Sequence, residues 1–247
     1  MARKALIAIA LGMFLYSHVV SCGTPISPKE TIVNAAVAGV KGELVETSRF
    51  EVEYGDDSIG FSQAGPEHQA LGPKAFWVDT AGSVLVADSV HGRFVCLEPD
   101  DSDVAVTHDD GTIDDLHPMF TPRDRGADFP RTVKLGAQSG AVDFGEGSEH
   151  RVRLVFDRSL ASLRIVGMDN RSRAFVLVEF FSKPGSVEVD RVMMVVSSEG
   201  LETGELRIDG IPSLPVAREF MVAPDGSLYR MLPLDDRVVF HRWEVKQ

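Results

Sequence analysis

Apolar and polar residues alternate with a period of two along most of this chain, in short runs bounded by turn-forming residues. From Gly72 to Glu98 the alternation predicts two strands joined by a turn, with a third strand behind them. Phe76 and Val78 share one face, Thr80-Ala81-Gly82-Ser83 has turn chemistry, and Val84, Val86, Phe94 and Cys96 resume the period. The pattern returns from Glu219 to Phe240 and overlays the first copy without a gap: Phe76 falls on Phe220, Val78 on Val222, Gly82 on Gly226, Ser83 on Ser227 and Arg93 on Arg237. A more diverged copy spans Met168 to Val178, with Asp169 at the place of Asp79 and Ser172 at that of Gly82. The copies are offset by 90 and then 54 residues, which leaves room for one further unit between the first two.

Around these copies the same period continues. Ser48 to Tyr54 puts Phe50, Val52 and Tyr54 on one face and Arg49, Glu51 and Glu53 on the other, a strand expected to lie beside Val238 to Val245 and complete the last unit. Gly55 to Leu71 has no period and is expected to be a loop. Between Arg131 and Gly210, VKL, AVDF, HRVRLVF, SLRIVG, RAFVLVEFF and VEVDRVMMVVS are further strand-like runs. No helical period of useful length occurs after Thr47. The fold class is therefore all-β, and units too small to hide their own apolar faces must pack against one another in an array.

A ring of antiparallel sheets removes exposed edges by closing on itself. Gly72-Pro73, Phe76, Val78-Asp79, Gly82, Val84, Val86, Asp88 and Arg93 resemble the blade signature of bacterial β-propellers of the NHL and six-bladed TolB-like type. The resemblance covers Tyr54 to Glu98 and Glu219 to Glu244 best, and the last copy departs from it with Ala223 at the Asp79 position and Leu232 at the Asp88 position. It implies a propeller-like ring of four to six blades over residues 47–247, with a β-sandwich as the alternative.

The chain begins with a targeting pattern. Arg3 and Lys4 precede an apolar run from Ala5 to Tyr16, too short to span a bilayer, and Val19-Val20-Ser21-Cys22 follows. These residues resemble a bacterial lipoprotein signal over positions 1–22, which implies lipidation of Cys22 and a membrane anchor. By the same resemblance, Gly23 in place of an Asp leaves the protein free to reach the outer membrane, facing the periplasm or the exterior. Residues 23–46 read as a tether, with Thr31 to Val40 forming a short strand or helix. Cys96 is expected to be a small buried hydrophobe; were Cys22 not lipidated, a Cys22–Cys96 disulfide is the other possibility in an oxidising compartment.

Composition narrows the function. With 37 acidic against 25 basic side chains and a net charge of −12, the chain lacks the cationic surface that nucleic acid requires. Pro99 to Asp115 is acid-rich around a strand at Val104 to Thr107, and Asp109-Asp110-Gly111 hints at a calcium loop without the EF-hand spacing; His117 to Pro130 continues as loop. No nucleophile elbow, zincin motif, P-loop or dinucleotide fingerprint occurs. Asp88-Ser89-Val90-His91 gathers the residue types of a hydrolytic triad, but a triad is defined by geometry, and Asp88 is expected to hold turn amides instead. His68, His108, His117, His150 and His241 are scattered, and Trp77 and Trp243 read as packing residues. No catalytic, metal or cofactor residue is assigned. The function expected is a non-catalytic binding or assembly module for an envelope protein or glycan, tested against a metal-dependent hydrolase or lactonase with a carboxylate-lined funnel.

Overall fold

Alternation of period two specifies strands, and strands are what form. The computed structural model describes residues 29–36, 38–65, 69–99, 104–109, 129–145 and 149–247, and among them there is no helix. In chain order the strands are β1 (Lys29–Asn34), β2 (Glu43–Glu53), β3 (Pro73–Val78), β4 (Val84–Asp88), β5 (Arg93–Pro99), β6 (Val104–Asp109), β7 (Arg131–Gly136), β8 (Ser139–Phe144) and β9 (His150–Val155). There follow β10 (Leu160–Met168), β11 (Ala174–Phe181), β12 (Val189–Ser197), β13 (Gly200–Leu201), β14 (Leu206–Arg207), β15 (Phe220–Val222), β16 (Leu228–Pro233) and β17 (Arg237–Lys246). They make four sheets: β3-β4-β5-β6; β7-β8-β9 with β1 on its outer edge; β10-β11-β12 with β13 and β14; and β15-β16-β17 with β2. The unmarked unit expected between the first two copies is the second of these sheets.

The sheets pack face to face in series. Phe76, Val78, Val84 and Val86 of the first sheet meet Met221, Tyr229, Met231, Val238 and Phe240 of the fourth. Phe220, Leu228 and Trp243 of the fourth meet Phe175, Leu177, Met193 and Val195 of the third, and Val176, Val178 and Met194 of the third meet Val142, Val152 and Leu154 of the second. β11 thus sends alternate residues into two different cores, so its run AFVLVEFF is apolar except for Glu179, as expected for a strand covered on both faces. At the junction of third and fourth sheets a Cβ on Gly167 would lie 2.6 Å from Val222 Cγ2, so this glycine allows the close approach. Neighbours in space are neighbours in chain order, with the fourth sheet returning to the first. No buried cluster joins the first sheet to the second among the described residues, and a closed ring is not seen.

The N-terminal segment straps this array from outside. β1 pairs parallel with β9 on the second sheet, Lys41 N and Gly42 N donate to Glu202 O at 3.2 and 3.0 Å on the third, and β2 pairs antiparallel with β17 on the fourth from Glu43↔Lys246 to Glu53↔Arg237. The expected pairing of Ser48 to Tyr54 beside Val238 to Val245 is therefore present. The reading of 23–46 as a tether is corrected over its described part: 29–34 is a paired strand and β2 starts at Glu43, because β9 and β17 offer open edges that these backbones satisfy. Cys96 is half-buried in β5, less enclosed than expected.

The three sequence copies share one turn. Asp79 N, Asp169 N and Ala223 N donate to the carbonyls of Ser83, Arg173 and Ser227, and Gly82, Ser172 and Gly226 donate back across the turn. Those three residues have φ of +94°, +58° and +86°. Asp79 Oδ1 accepts from Ala81 N and Ser83 N at 2.8 and 2.9 Å, and Asp169 Oδ1 accepts from Arg171 N and Arg173 N at 2.9 Å each. A Cβ on Gly82 would have open space, with Tyr229 OH the nearest atom at 3.9 Å, so Gly82→Ala isolates backbone strain. It is expected to cost about 1–2 kcal/mol in urea unfolding, while Ser172→Gly gains less than about 1 kcal/mol.

Two tyrosines at the junction of the first and fourth sheets tie stability to pH. Tyr54 OH donates to Leu234 O at 3.0 Å, and burial, reinforced by Asp235 and Asp236, pushes its phenol up. Burial also pushes Tyr229 up, against the opposing pull of Arg242. A phenol raised in the folded state contributes stability below its unfolded value near about 10, and that contribution is lost as pH rises beyond it. Urea midpoints are expected to hold from pH 7 to 9 and fall above about 10, and Tyr54→Phe should flatten that fall.

Candidate binding cleft

A cleft of about 280 Å³ lies where the first strands of the sheets come together. Trp77 reaches it from β3, Phe129 from the approach to β7, Arg164 to Gly167 from β10, and Arg218 to Met221 from the run into β15. The first, third and fourth sheets contribute through β3, β10 and β15, which lie at the ends of their sheets, and Phe129 comes from the segment just ahead of β7. Short cross-links hold these strands in place. Lys74 O accepts from Ala217 N and Arg218 N at 2.7 and 3.3 Å, and Val78 N donates to Met221 Sδ at 3.3 Å. Thr132 Oγ1 donates to Leu163 O at 3.0 Å, and Lys134 Nζ to Leu160 O at 2.6 Å. Trp77 is half-buried with the Arg218 guanidinium 5.8 Å from its ring centre, close enough for a cation–π contact.

Behind one wall of the cleft is a buried ion network. Glu219 Oε1 accepts from Arg230 Nε at 2.8 Å and Arg191 Nη1 at 3.0 Å, and Oε2 accepts from Arg191 Nη2 at 2.5 Å. Arg230, only 2% exposed, also donates to the carbonyls of Asp209 and Gly210 at 2.5 and 2.7 Å. Burial pushes the Arg230 guanidinium down and Glu219 opposes that shift. Both arginines flank the Phe220 ring at 5.5 Å. In the overlay of first and last copies Arg230 stands where the first has Val86, an apolar core position. The sequence reading did not single out Arg230 or Glu219, and that break in the repeat was the signal available.

Asp88-Ser89-Val90-His91 folds as a structural hub. Asp88 is fully buried; its Oδ1 accepts from Val90 N and His91 N at 3.0 and 3.3 Å, and its Oδ2 from Gly60 N at 3.1 Å. His91 Nδ1 lies 2.7 Å from Asp88 Oδ2, and Nε2 faces Asp56 Oδ1 at 3.7 Å. Ser89 Oγ donates to Gly72 O at 2.6 Å, so this serine is not aligned with the histidine as a nucleophile. The carboxylate holds turn amides, as expected, and docks the 55–60 loop onto the first sheet.

Trp243 is a core residue, stacked on His241 at 5.2 Å, whereas Trp77 faces the cleft. Cys22, His68 and His117 lie outside the described residues, as does Asp100 to Asp115 apart from β6; the expected strand at Val104 to Thr107 is that β6. Among the described residues, no three His, Cys, Asp or Glu side chains are placed to hold a metal ion, and no helix is long and apolar enough to cross a membrane. A larger polar groove of about 850 Å³ runs between β2 and the turns of the first sheet, but its arginines are already engaged: Arg49 with Glu51 at 2.7 Å, Arg242 with Asp225 at 2.9 Å. A scan against protein-family models and a search of curated proteins both find no match to this chain.

Proposed function

We propose that this chain is a lipid-anchored cell-envelope protein of β-propeller-like, NHL or TolB-like architecture, held at the outer membrane through Cys22, that binds its partner in the cleft without transforming it. The observation that carries this reading is the convergence of β3, β10 and the run into β15, from three of the sheets, on one cleft with an aromatic platform, Trp77. A concave site built on rigid strands, apolar with a few fixed polar groups, is the usual form of a ligand pocket. The propeller reading is supported by the serial packing of four antiparallel sheets, the fourth against the first, and by β2, from the N-terminal side, completing the sheet of the C-terminal strands. Binding in place of catalysis is supported by the Asp88–His91 pair, whose neighbouring serine is tied to a backbone carbonyl.

The test uses the lipidated protein isolated from its own membranes. Mass spectrometry of the mature N-terminus should find acylated Cys22, and native mass spectrometry should find a retained ligand that Trp77→Ala loses while the fold is kept. Turnover of an ester or lactone, abolished by chelation and restored by calcium, would overturn the binding reading in favour of a metal-dependent hydrolase.

A further inference from the structure

The face that the fourth sheet turns toward the first changes character along its strands. Met231, Phe240 and Phe50 stand side by side across β16, β17 and β2, and this row belongs to the core shared with the first sheet. Two residues nearer the shared turn, the row on the same face is Tyr229, Arg242 and Ser48. The core gives way to polar groups there. Across from that row lie the turn Ala81-Gly82-Ser83 of the first sheet and Glu98 near the end of β5, and between the two sheets runs the groove of about 850 Å³. It shares no lining residue with the cleft around Trp77.

The cations of this groove are matched and its hydroxyls are not. Arg49 is held by Glu51 at 2.7 Å, and Arg242 by Asp225 at 2.9 Å and Glu244 at 3.1 Å. Ser48, Ser83 and Tyr229 make no hydrogen bond through their hydroxyls among the described residues, and Thr47 Oγ1 reaches only the Arg242 carbonyl at 3.5 Å. Tyr229 is the telling member. Its side chain is 2% exposed and its ring lies under the Arg242 guanidinium at 5.6 Å, yet its hydroxyl is neither bonded nor sealed from solvent. A buried phenol ordinarily finds a partner for its hydroxyl, and here the groove is where a partner can come from. Glu98 is exposed and has no ion pair or hydrogen bond among the described residues.

An anion entering the groove meets the unpaired Glu98 carboxylate and guanidinium groups whose charge is already met. A neutral ligand rich in hydroxyls suits it better, since each such hydroxyl both donates and accepts: it can donate to Glu98 and accept from Tyr229, Ser48 or Ser83. Sugars also carry C–H faces that rest on aromatic rings, and Phe50, stacked on Phe240 at 4.9 Å, lines the groove beside these groups. The volume lies within the range of ligand sites, about 300–1,000 Å³. We infer that the groove is a second binding site, separate from the cleft, for a neutral oligosaccharide, with Tyr229, Ser48 and Ser83 on its hydroxyls, Glu98 accepting from them and Phe50 against a sugar face.

The test is calorimetric titration of the mature chain with Cys22→Ser, using the neutral sugars triacetylchitotriose, cellotriose and maltotriose and the anionic trigalacturonate, at about 50 mM and about 500 mM salt. At least one neutral sugar should bind at least about tenfold more tightly than trigalacturonate, which Glu98 opposes, and its affinity should change less than about twofold between the two salt concentrations. Tyr229→Phe removes one oxygen and no described hydrogen bond, so the melting midpoint at pH 7 should hold while affinity falls about twofold to tenfold. Glu98→Gln should weaken binding further, and Trp77→Ala should leave it unchanged. Failure of all three neutral sugars to bind, trigalacturonate binding as tightly as the best of them, or a Tyr229→Phe, Glu98→Gln protein that binds unchanged would overturn the inference. Loss of sugar binding in Trp77→Ala would also overturn it, by placing the sugar in the cleft.

Discussion

A chain that begins at residue 55, and so lacks β2, is expected not to fold. β2 is the ladder partner of β17 over nearly its whole length, and it carries Leu44 into the core between third and fourth sheets and Phe50 and Val52 into the core between fourth and first. Phe50 stacks on Phe240 at 4.9 Å, so the strand reaches the centre of the second of these cores. Burial of each such side chain contributes about 1.5–3 kcal/mol, and with the ladder hydrogen bonds the loss approaches the whole stability of an ordinary domain, about 5–15 kcal/mol. It also leaves β17 as a long unpaired edge, a template for aggregation. A chain beginning at residue 43 should behave differently. It loses only β1, whose Ile32 is 64% exposed and whose Val33 is partly buried, so it is expected to fold with a lower melting midpoint. Circular dichroism melts and gel filtration of the two truncations decide the matter; a residue-55 chain that melts cooperatively at the full-length midpoint would show that β2 is dispensable.

Glu219→Gln is expected to be the most damaging single conservative change among the charged residues described. It leaves Arg191 and Arg230 without the carboxylate that both engage, with Glu179 still 3.9 Å from Arg191 Nε. Removing one partner from a buried ion network typically costs about 3–5 kcal/mol, because the remaining charge stays buried without compensation. Arg230→Met should cost less: it removes the buried cation, fills much of its volume, and leaves Glu219 with both hydrogen bonds from Arg191. Urea midpoints of the two variants give the comparison, and equal losses would mean that packing of the Arg230 stem outweighs the ionic term.

How much of this was legible in the sequence follows from the range of each interaction. Strands β3 to β5, the runs that became β7 to β12, and β15 to β17 could be read because period-two alternation is written within each segment. The pairing of β2 with β17 was also foreseeable, since a lone amphipathic strand before the first unit needs an edge, and the last unit lacks one strand. β1 was not: Thr31 to Val40 is compatible with strand or helix, and the choice is made by β9, more than a hundred residues away. The cleft was hidden for a different reason. Trp77, Arg164 and Arg218 each read alone as ordinary strand residues, and only the repeat register sets Arg230 against Val86. The turn role of Asp88, by contrast, was readable, because its acceptors serve amides two and three residues on.

The most direct test of binding in the cleft is two-dimensional NMR of the ¹⁵N-labelled mature chain with Cys22→Ser, titrated with the ligand released from the membrane-isolated protein. The expected result is saturable shifts of the Trp77 indole and of amides in 164–167 and 217–221, with the ligand recovered intact. Shifts centred instead on the Asp88–His91 loop or on the groove around Arg242, or conversion of the ligand during the titration, would contradict a non-catalytic site where β3, β10 and the run into β15 meet.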